Sequence, residues 1–159
     1  MKNPLFTGVC TALVTPFLDD KINEPMLKVL LSRQLYAGVD AVVIAGTTGE
    51  SPTLSDEEKL RLFRITKDYV GNEMLVIAGT GSNSTEHAVD LSKKAQDCGA
   101  DGLLVVTPYY NKANQSGLIE HFKAIANCIS IPVILYNVPS RTGVDIPVSV
   151  YQRLSRVPN

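Results

Sequence analysis

The chain has 159 residues, of which 45% are hydrophobic and 19% charged, enough for one globular domain with a sizeable core. Its net charge of −1 comes from interspersed acids and bases, so there is no electrostatic footprint for nucleic acid or an anionic membrane, and small-molecule chemistry becomes the working expectation. The start, Met-Lys-Asn-Pro, has no signal-peptide apolar region, and no apolar run approaches the roughly 18 residues of a membrane span, which points to a cytoplasmic protein.

Along the chain a strand-like apolar run restarts roughly every 30 residues, at Val9, Ala41, Met74, Gly102 and Pro132, and a helix-like stretch follows each. The first helix is predicted over residues 24–37, with Pro25 in its first turn and Gly38 past its end. The second opens on the capping box Ser55-Asp56-Glu57-Glu58 and runs to about Val70, with Leu60, Phe63 and Ile65 as its buried stripe. The third opens on Asn83-Ser84-Thr85-Glu86, read as the same device, and ends at Gly99. Residues 115–128 and 146–154 supply two more helices. Strand segments such as Ala41-Val42-Val43-Ile44 and Leu103-Leu104-Val105-Val106 are apolar on both faces, as buried parallel strands are. Residues 38–43 and 99–106 share a Gly-x-Asp entry into the strand, so two units are built alike. The class is α/β. Cys10, Cys98 and Cys128 are odd in number, lack Cys-x-x-Cys spacing and are expected to be buried thiols in a reducing compartment.

In such folds chemistry sits at the carboxyl ends of the strands. Those ends read Thr15-Pro16-Phe17, Gly46-Thr47-Thr48-Gly49-Glu50-Ser51, Gly79-Thr80-Gly81-Ser82-Asn83, Thr107-Pro108-Tyr109-Tyr110-Asn111 and Tyr136-Asn137-Val138-Pro139-Ser140-Arg141-Thr142-Gly143. Glycines would let a ligand approach the backbone, paired hydroxyls and tyrosines supply uncharged donors, and Arg141 adds one fixed cation. The set suits a small carboxylate or keto acid better than a polyphosphate. Gly79-Thr80-Gly81-Ser82 lacks the lysine of a phosphate-binding loop, and His87 and His121 fall in helices without metal-ligand partners at suitable spacing, so neither metal nor cofactor is expected.

The motifs Gly46-Thr47-Thr48-Gly49-Glu50-Ser51, Thr107-Pro108-Tyr109-Tyr110 and Tyr136 through Gly143 together resemble the dihydrodipicolinate synthase family. This family lies within the class I aldolase superfamily that includes N-acetylneuraminate lyase, and the resemblance runs the length of the chain. It implies a TIM (β/α)8 barrel, of which residues 1–159 are a single incomplete domain of about five βα units. It also implies condensation of pyruvate with aspartate semialdehyde through a lysine Schiff base, in lysine and diaminopimelate biosynthesis. Tyr136, Thr48 and Tyr110 match the proton relay, with Tyr110 reaching into a neighbouring subunit of a homotetramer. Thr47 and Thr48 match the pyruvate carboxylate site, and Arg141 matches the arginine that takes the aldehyde's carboxylate. Sialic-acid lyases usually carry a Ser-Thr pair and lack that arginine, which favours the synthase subgroup.

Ser51, Asn83 and Tyr109 match an allosteric lysine cleft of the family, whereas Asp56, Lys59 and His87 depart from it, so feedback by lysine is expected to be weak. No residue matches the Schiff-base lysine, which the family places on a sixth strand some five residues past Asn159, and the loop residue Lys112 has no apolar pocket to activate it. The alternatives are a non-catalytic half-barrel fragment, another pyruvate-dependent aldolase, or five units relaxed into an open doubly wound sheet. A half-barrel would leave strand edges open, and self-association is the expected remedy.

Overall fold

The computed structural model describes residues 4–159. Chain order runs β1 (Cys10–Ala12), β2 (Phe17–Leu18), β3 (Lys21–Ile22), α1 (Glu24–Tyr36), β4 (Ala41–Ile44), α2 (Asp56–Val70), β5 (Leu75–Gly79), α3 (Thr85–Asp97), β6 (Gly102–Val106), α4 (Gln115–Ala126), β7 (Val133–Tyr136), α5 (Pro139–Thr142) and α6 (Val148–Leu154). A short 3₁₀ turn, Ser51–Thr53, precedes α2. Five strands pair in parallel in the order β1-β4-β5-β6-β7, so every crossover joins neighbours and the sheet curls into a half-barrel rather than a doubly wound sheet.

Strand parity divides the core. Val42, Ile44, Val76, Ala78, Leu103 and Val105 face the helices and meet Leu31, Phe63, Leu118 and Phe122 in the main cluster. Ala41, Val43 and Ile77 face the inside of the curl and pack with Leu5, Phe6, Cys10, Leu104 and Ile134. Burial of each large apolar side chain contributes about 1.5–3 kcal/mol, which the outer layer collects almost in full. Leu75, Leu104 and Ile134, facing the open side, remain half-buried.

The repeated Gly-x-Asp entries explain the register. Asp40 Oδ2 accepts from the Val9 amide at 2.7 Å while the Asp40 amide donates to the Val9 carbonyl at 3.1 Å. Asp101 does the same one layer on: its Oδ2 accepts from the Val76 amide at 2.8 Å, and its amide donates to the Val76 carbonyl at 2.9 Å. Each carboxylate thus pins the start of one parallel strand against the next. Lys67 Nζ donates to both Asp101 oxygens at 2.9 Å and ties α2 to the same point.

The helices start where their caps dictate, with three adjustments. The Ser55 box is complete, with the Ser55 amide on Glu58 Oε2 at 2.8 Å and the Glu58 amide on Ser55 Oγ at 3.2 Å. For α3 the cap is Ser84 rather than Asn83, which puts His87 where a box would need a carboxylate. The buried stripe of α2 is Lys59, Leu62, Phe63, Thr66 and Val70; Leu60 and Ile65 are half-buried, because the helix is rotated to bring its i, i+3, i+4, i+7 row onto the sheet. Pro147 caps α6, so that helix begins at Val148 and not at 146. All three cysteines are free and half-buried rather than buried. The β2–β3 hairpin was not anticipated; Asp19 and Asp20 turn it with φ of 49° and 58°.

Asp101→Ala is expected to lower the unfolding free energy by about 1–3 kcal/mol by orphaning the Val76 amide. Asp101→Asn keeps an acceptor and loses only the Lys67 pair, at about 1 kcal/mol or less; equal losses in urea unfolding would refute the register role. His121 of α4 supplies a second test. Its residue is 4% exposed, Nδ1 bonds Thr85 Oγ1 at 2.8 Å, and Nε2 has no hydrogen-bond partner among the described residues. Burial holds its pKa below the ordinary value, so the folded state prefers the neutral ring. Stability present above pH 6.5, the unfolded value, is therefore lost as pH falls below it toward the folded-state pKa. Calorimetric melting is expected at lower temperature at pH 5 than at pH 7.5, with a contribution of at most about 1.4 kcal/mol per pH unit that His121→Gln removes.

Candidate active site at the mouth of the half-barrel

The carboxyl ends of the strands surround one cavity of about 1090 Å³. In register, Val106 of β6 stands beside Tyr136 of β7. Tyr136 shares the parity of inward-facing Ile134, so its side chain lies on the inner face at the mouth, half-buried. Thr47, Ser51, Asn83, Tyr109, Tyr110, Tyr136 and Arg141 all line the cavity. Thr48 is exposed in the adjoining turn and is not among the lining residues.

Two glycines of this region have a different role from ligand approach. A Cβ on Gly79 would stand 2.1 Å from the Ala45 carbonyl oxygen, and one on Gly81 would stand 2.4 Å from the Val106 amide nitrogen. They let the end of β5 lie directly against the ends of β4 and β6, and so draw the motif loops around one space.

The loops are also tied to each other. Buried Thr15 donates its hydroxyl to the Gly49 carbonyl at 2.7 Å, fixing the Gly-Thr-Thr-Gly turn against the loop after β1. Asn111 Nδ2 donates to the Asn83 carbonyl at 3.2 Å, joining the loops after β6 and β5. Asn137 donates to Asp145 Oδ1 at 2.7 Å and accepts from the Ile146 amide at 3.3 Å. Within that bracket, buried Thr142 donates to the Val144 carbonyl at 3.0 Å, and the single turn α5 presents Arg141 to solvent at the rim. Thr15, Asn137 and Thr142 position the site without touching its cavity chemistry, except that Thr142 also forms part of the wall.

Strain concentrates here. Of six non-glycine residues with positive φ among the described residues, Ala45, Glu50, Tyr110 and Lys112 belong to the mouth, at 52°, 61°, 71° and 45°. Such geometry costs about 1–3 kcal/mol per residue and persists where neighbours over-determine it. Tyr110 lines the rim of the cavity at 90% exposure. Lys112 is likewise exposed.

The charged lining residues are Asp56, Lys59, Lys112 and Arg141, so cations outnumber the carboxylate; His87 lines the same wall. The sequence places His87 in a helix and, by the family resemblance, beside Asp56 and Lys59 among the positions that depart from the lysine cleft. Its Nε2 lies 3.0 and 2.8 Å from the two Asp56 oxygens and its Nδ1 lies 3.0 Å from Ser82 Oγ. Among the described residues no group of three or more His, Cys, Asp or Glu is arranged to hold a metal ion, and no helix is long and apolar enough to cross a membrane.

The fold is shared with known proteins. The model of the dihydrodipicolinate synthetase family matches residues 5–159. The 4-hydroxy-tetrahydrodipicolinate synthase of Acetivibrio thermocellus is 49% identical over 159 residues, which is 100% of this chain and 54% of that protein. The solved structure of the 4-hydroxy-tetrahydrodipicolinate synthase from Methylacidiphilum fumariolicum SolV superposes with a TM-score of 0.94 at 47% identity, covering 96% of this chain and 51% of the other. The synthase of Cyanidioschyzon merolae with lysine bound gives a TM-score of 0.94 at 43% identity, covering 98% and 54%. The chain spans about half the length of the curated relatives it matches. It belongs to the dihydrodipicolinate synthetase family.

Proposed function

We propose that these residues form the substrate mouth of a lyase that condenses pyruvate with aspartate semialdehyde to 4-hydroxy-tetrahydrodipicolinate, in a protein of the full family length. The observation that carries this reading is the convergence of Thr47, Tyr110, Tyr136 and Arg141 on one cavity with an excess of cations. Two carboxylate substrates call for such a site, and neutral hydroxyls can pass protons beside an imine without adding charge to it.

In the proposed cycle a lysine amine attacks the pyruvate carbonyl and water leaves, giving an imine. Loss of a methyl proton makes the enamine, whose carbon attacks the aldehyde. The amino group of the second substrate then attacks the imine carbon, closing the ring and releasing the lysine. Tyr136, Thr48 and Tyr110 carry the protons; Thr47 and Thr48 hold the pyruvate carboxylate, and Arg141 takes the carboxylate of the aldehyde. Tyr110 serves a neighbouring subunit, a role its exposed side chain and strained backbone suit. The imine-forming lysine belongs to the part of the family length outside these 159 residues. Arg141 separates this reading from aldolases whose second substrate lacks a carboxylate at that position.

Borohydride reduction of the 159-residue chain with pyruvate is expected to trap no adduct by intact mass; a stoichiometric adduct on Lys112 would refute the assignment. In the full-length enzyme, Tyr136→Phe and Thr48→Val should each lower kcat more than tenfold, a loss of about 1.4 kcal/mol or more in transition-state stabilisation. Smaller losses in steady-state assays would exclude the relay.

A further inference from the structure

We propose that Asn137 and Asp145 are positioning residues that make the mouth selective for the carboxylate-bearing aldehyde, by fixing the loop that presents Arg141; the proposal rests on the substrate reading given above. Arg141 is exposed, and its guanidinium has no hydrogen-bond or ion-pair partner among the described residues. No neighbouring side chain orients it, so the backbone of α5 decides what volume its charge can reach. A guanidinium holds a carboxylate through two parallel N–H donors, which makes the contact sensitive to the angle at which that backbone offers it.

The loop after β7 closes on itself. The Arg141 and Thr142 amides donate to the Val138 carbonyl at 2.9 and 3.1 Å, the Gly143 amide donates to the Pro139 carbonyl at 2.9 Å, and the Val144 amide donates to Thr142 Oγ1 at 3.3 Å. Its two ends meet at Asn137, whose Nδ2 donates to Asp145 Oδ1 at 2.7 Å and whose Oδ1 accepts from the Ile146 amide at 3.3 Å. One partner needs a donor and the other an acceptor, which sets the orientation of the side-chain amide and suits asparagine to the place. Tyr136, one residue earlier, is held by other means: its carbonyl accepts from the Thr107 amide at 3.2 Å, and it pairs with Val106 in the ladder. The fastening of the chain thus changes between residues 136 and 137. Breaking the Asn137–Asp145 bond loosens the loop that carries Arg141 and leaves the relay tyrosine in the sheet.

The test is steady-state kinetics of the full-length enzyme carrying Asp145→Ala or, from the other side of the same bond, Asn137→Asp, which keeps the acceptor for Ile146 but sets two carboxylates together. Each is expected to raise KM for aspartate semialdehyde about fivefold or more, with kcat and KM for pyruvate within about twofold. Asp145→Asn keeps the oxygen that Asn137 needs and should match the unmodified enzyme. The exchange of Asn137→Asp with Asp145→Asn reverses donor and acceptor and should restore the KM that Asn137→Asp raises. In an Arg141→Ala background Asp145→Ala should add less than about a further twofold, because both changes act on one contact. Losses spread over kcat and both KM values, or unrelieved by the exchange, would mark a merely structural role and overturn the proposal. If Arg141→Ala raises the aldehyde KM while Asp145→Ala and Asn137→Asp do not, the positioning role falls and the substrate reading stands; if Arg141→Ala leaves that KM unchanged, both fall.

Discussion

Everything at the mouth depends on two aspartates at the opposite end of the sheet. A parallel ladder has no tight turn to set its register, and a slip of one residue exchanges the inner and outer faces of a strand. Asp40 and Asp101 each close a reciprocal pair with the neighbouring strand, at Val9 and Val76. Those pairs fix which residues of β4 and β6 face inward; parity then carries the choice along β6 to Val106, which pairs with Tyr136 of β7. A site built from strand ends inherits its geometry from where the strands begin. This also accounts for the recurrence of Gly-x-Asp before β4 and β6: the glycine ends the preceding helix with positive φ at Gly38 and Gly99, and the carboxylate sets the strand that follows.

The βα order was readable because the central strands β4, β5 and β6 are apolar on both faces and α1 to α4 each carry a side-chain cap, and both signals are local. What could not be read was how each helix would be rotated or entered. Leu60 and Ile65 look like a buried stripe in isolation, but the sheet selects Leu62 and Phe63 with Lys59 and Thr66. Asn83 and Ser84 are both competent caps, and tertiary placement of the loop after β5 decided for Ser84. The β2–β3 hairpin turns on two aspartates without the glycine that usually announces such a turn.

The candidate site was readable to the extent that unusual residues clustered at one end of the strands. Thr47, Tyr110, Tyr136 and Arg141 are far apart in sequence, and topology alone brings them to one cavity. The Asp56–His87 contact left no local signal, since its partners sit 31 residues apart on different helices and neither belongs to a motif at a strand end; only the family resemblance set both at one cleft. Gly79 and Gly81 were read as openings for a ligand, whereas the space a side chain would fill is taken by the Ala45 and Val106 backbones. A glycine pattern shows that something comes close without showing whether it is substrate or chain.

The division between a regular body and a strained rim has an energetic logic. Four left-handed non-glycine residues at about 1–3 kcal/mol each would weigh heavily on a domain whose net stability is typically only about 5–15 kcal/mol. They are tolerable because the loops that carry them are fastened by side chains with few alternatives: Thr15 to Gly49, Asn111 to Asn83, and Asn137 to Asp145. Two of the strained residues, Ala45 and Glu50, bracket the Thr47-Thr48 turn that Thr15 holds. The other two, Tyr110 and Lys112, flank Asn111, whose side chain is itself the fastening. Strain and restraint therefore occur in the same loops. That pairing holds polar groups at defined positions before a substrate arrives, so less of the binding energy goes into ordering the mouth.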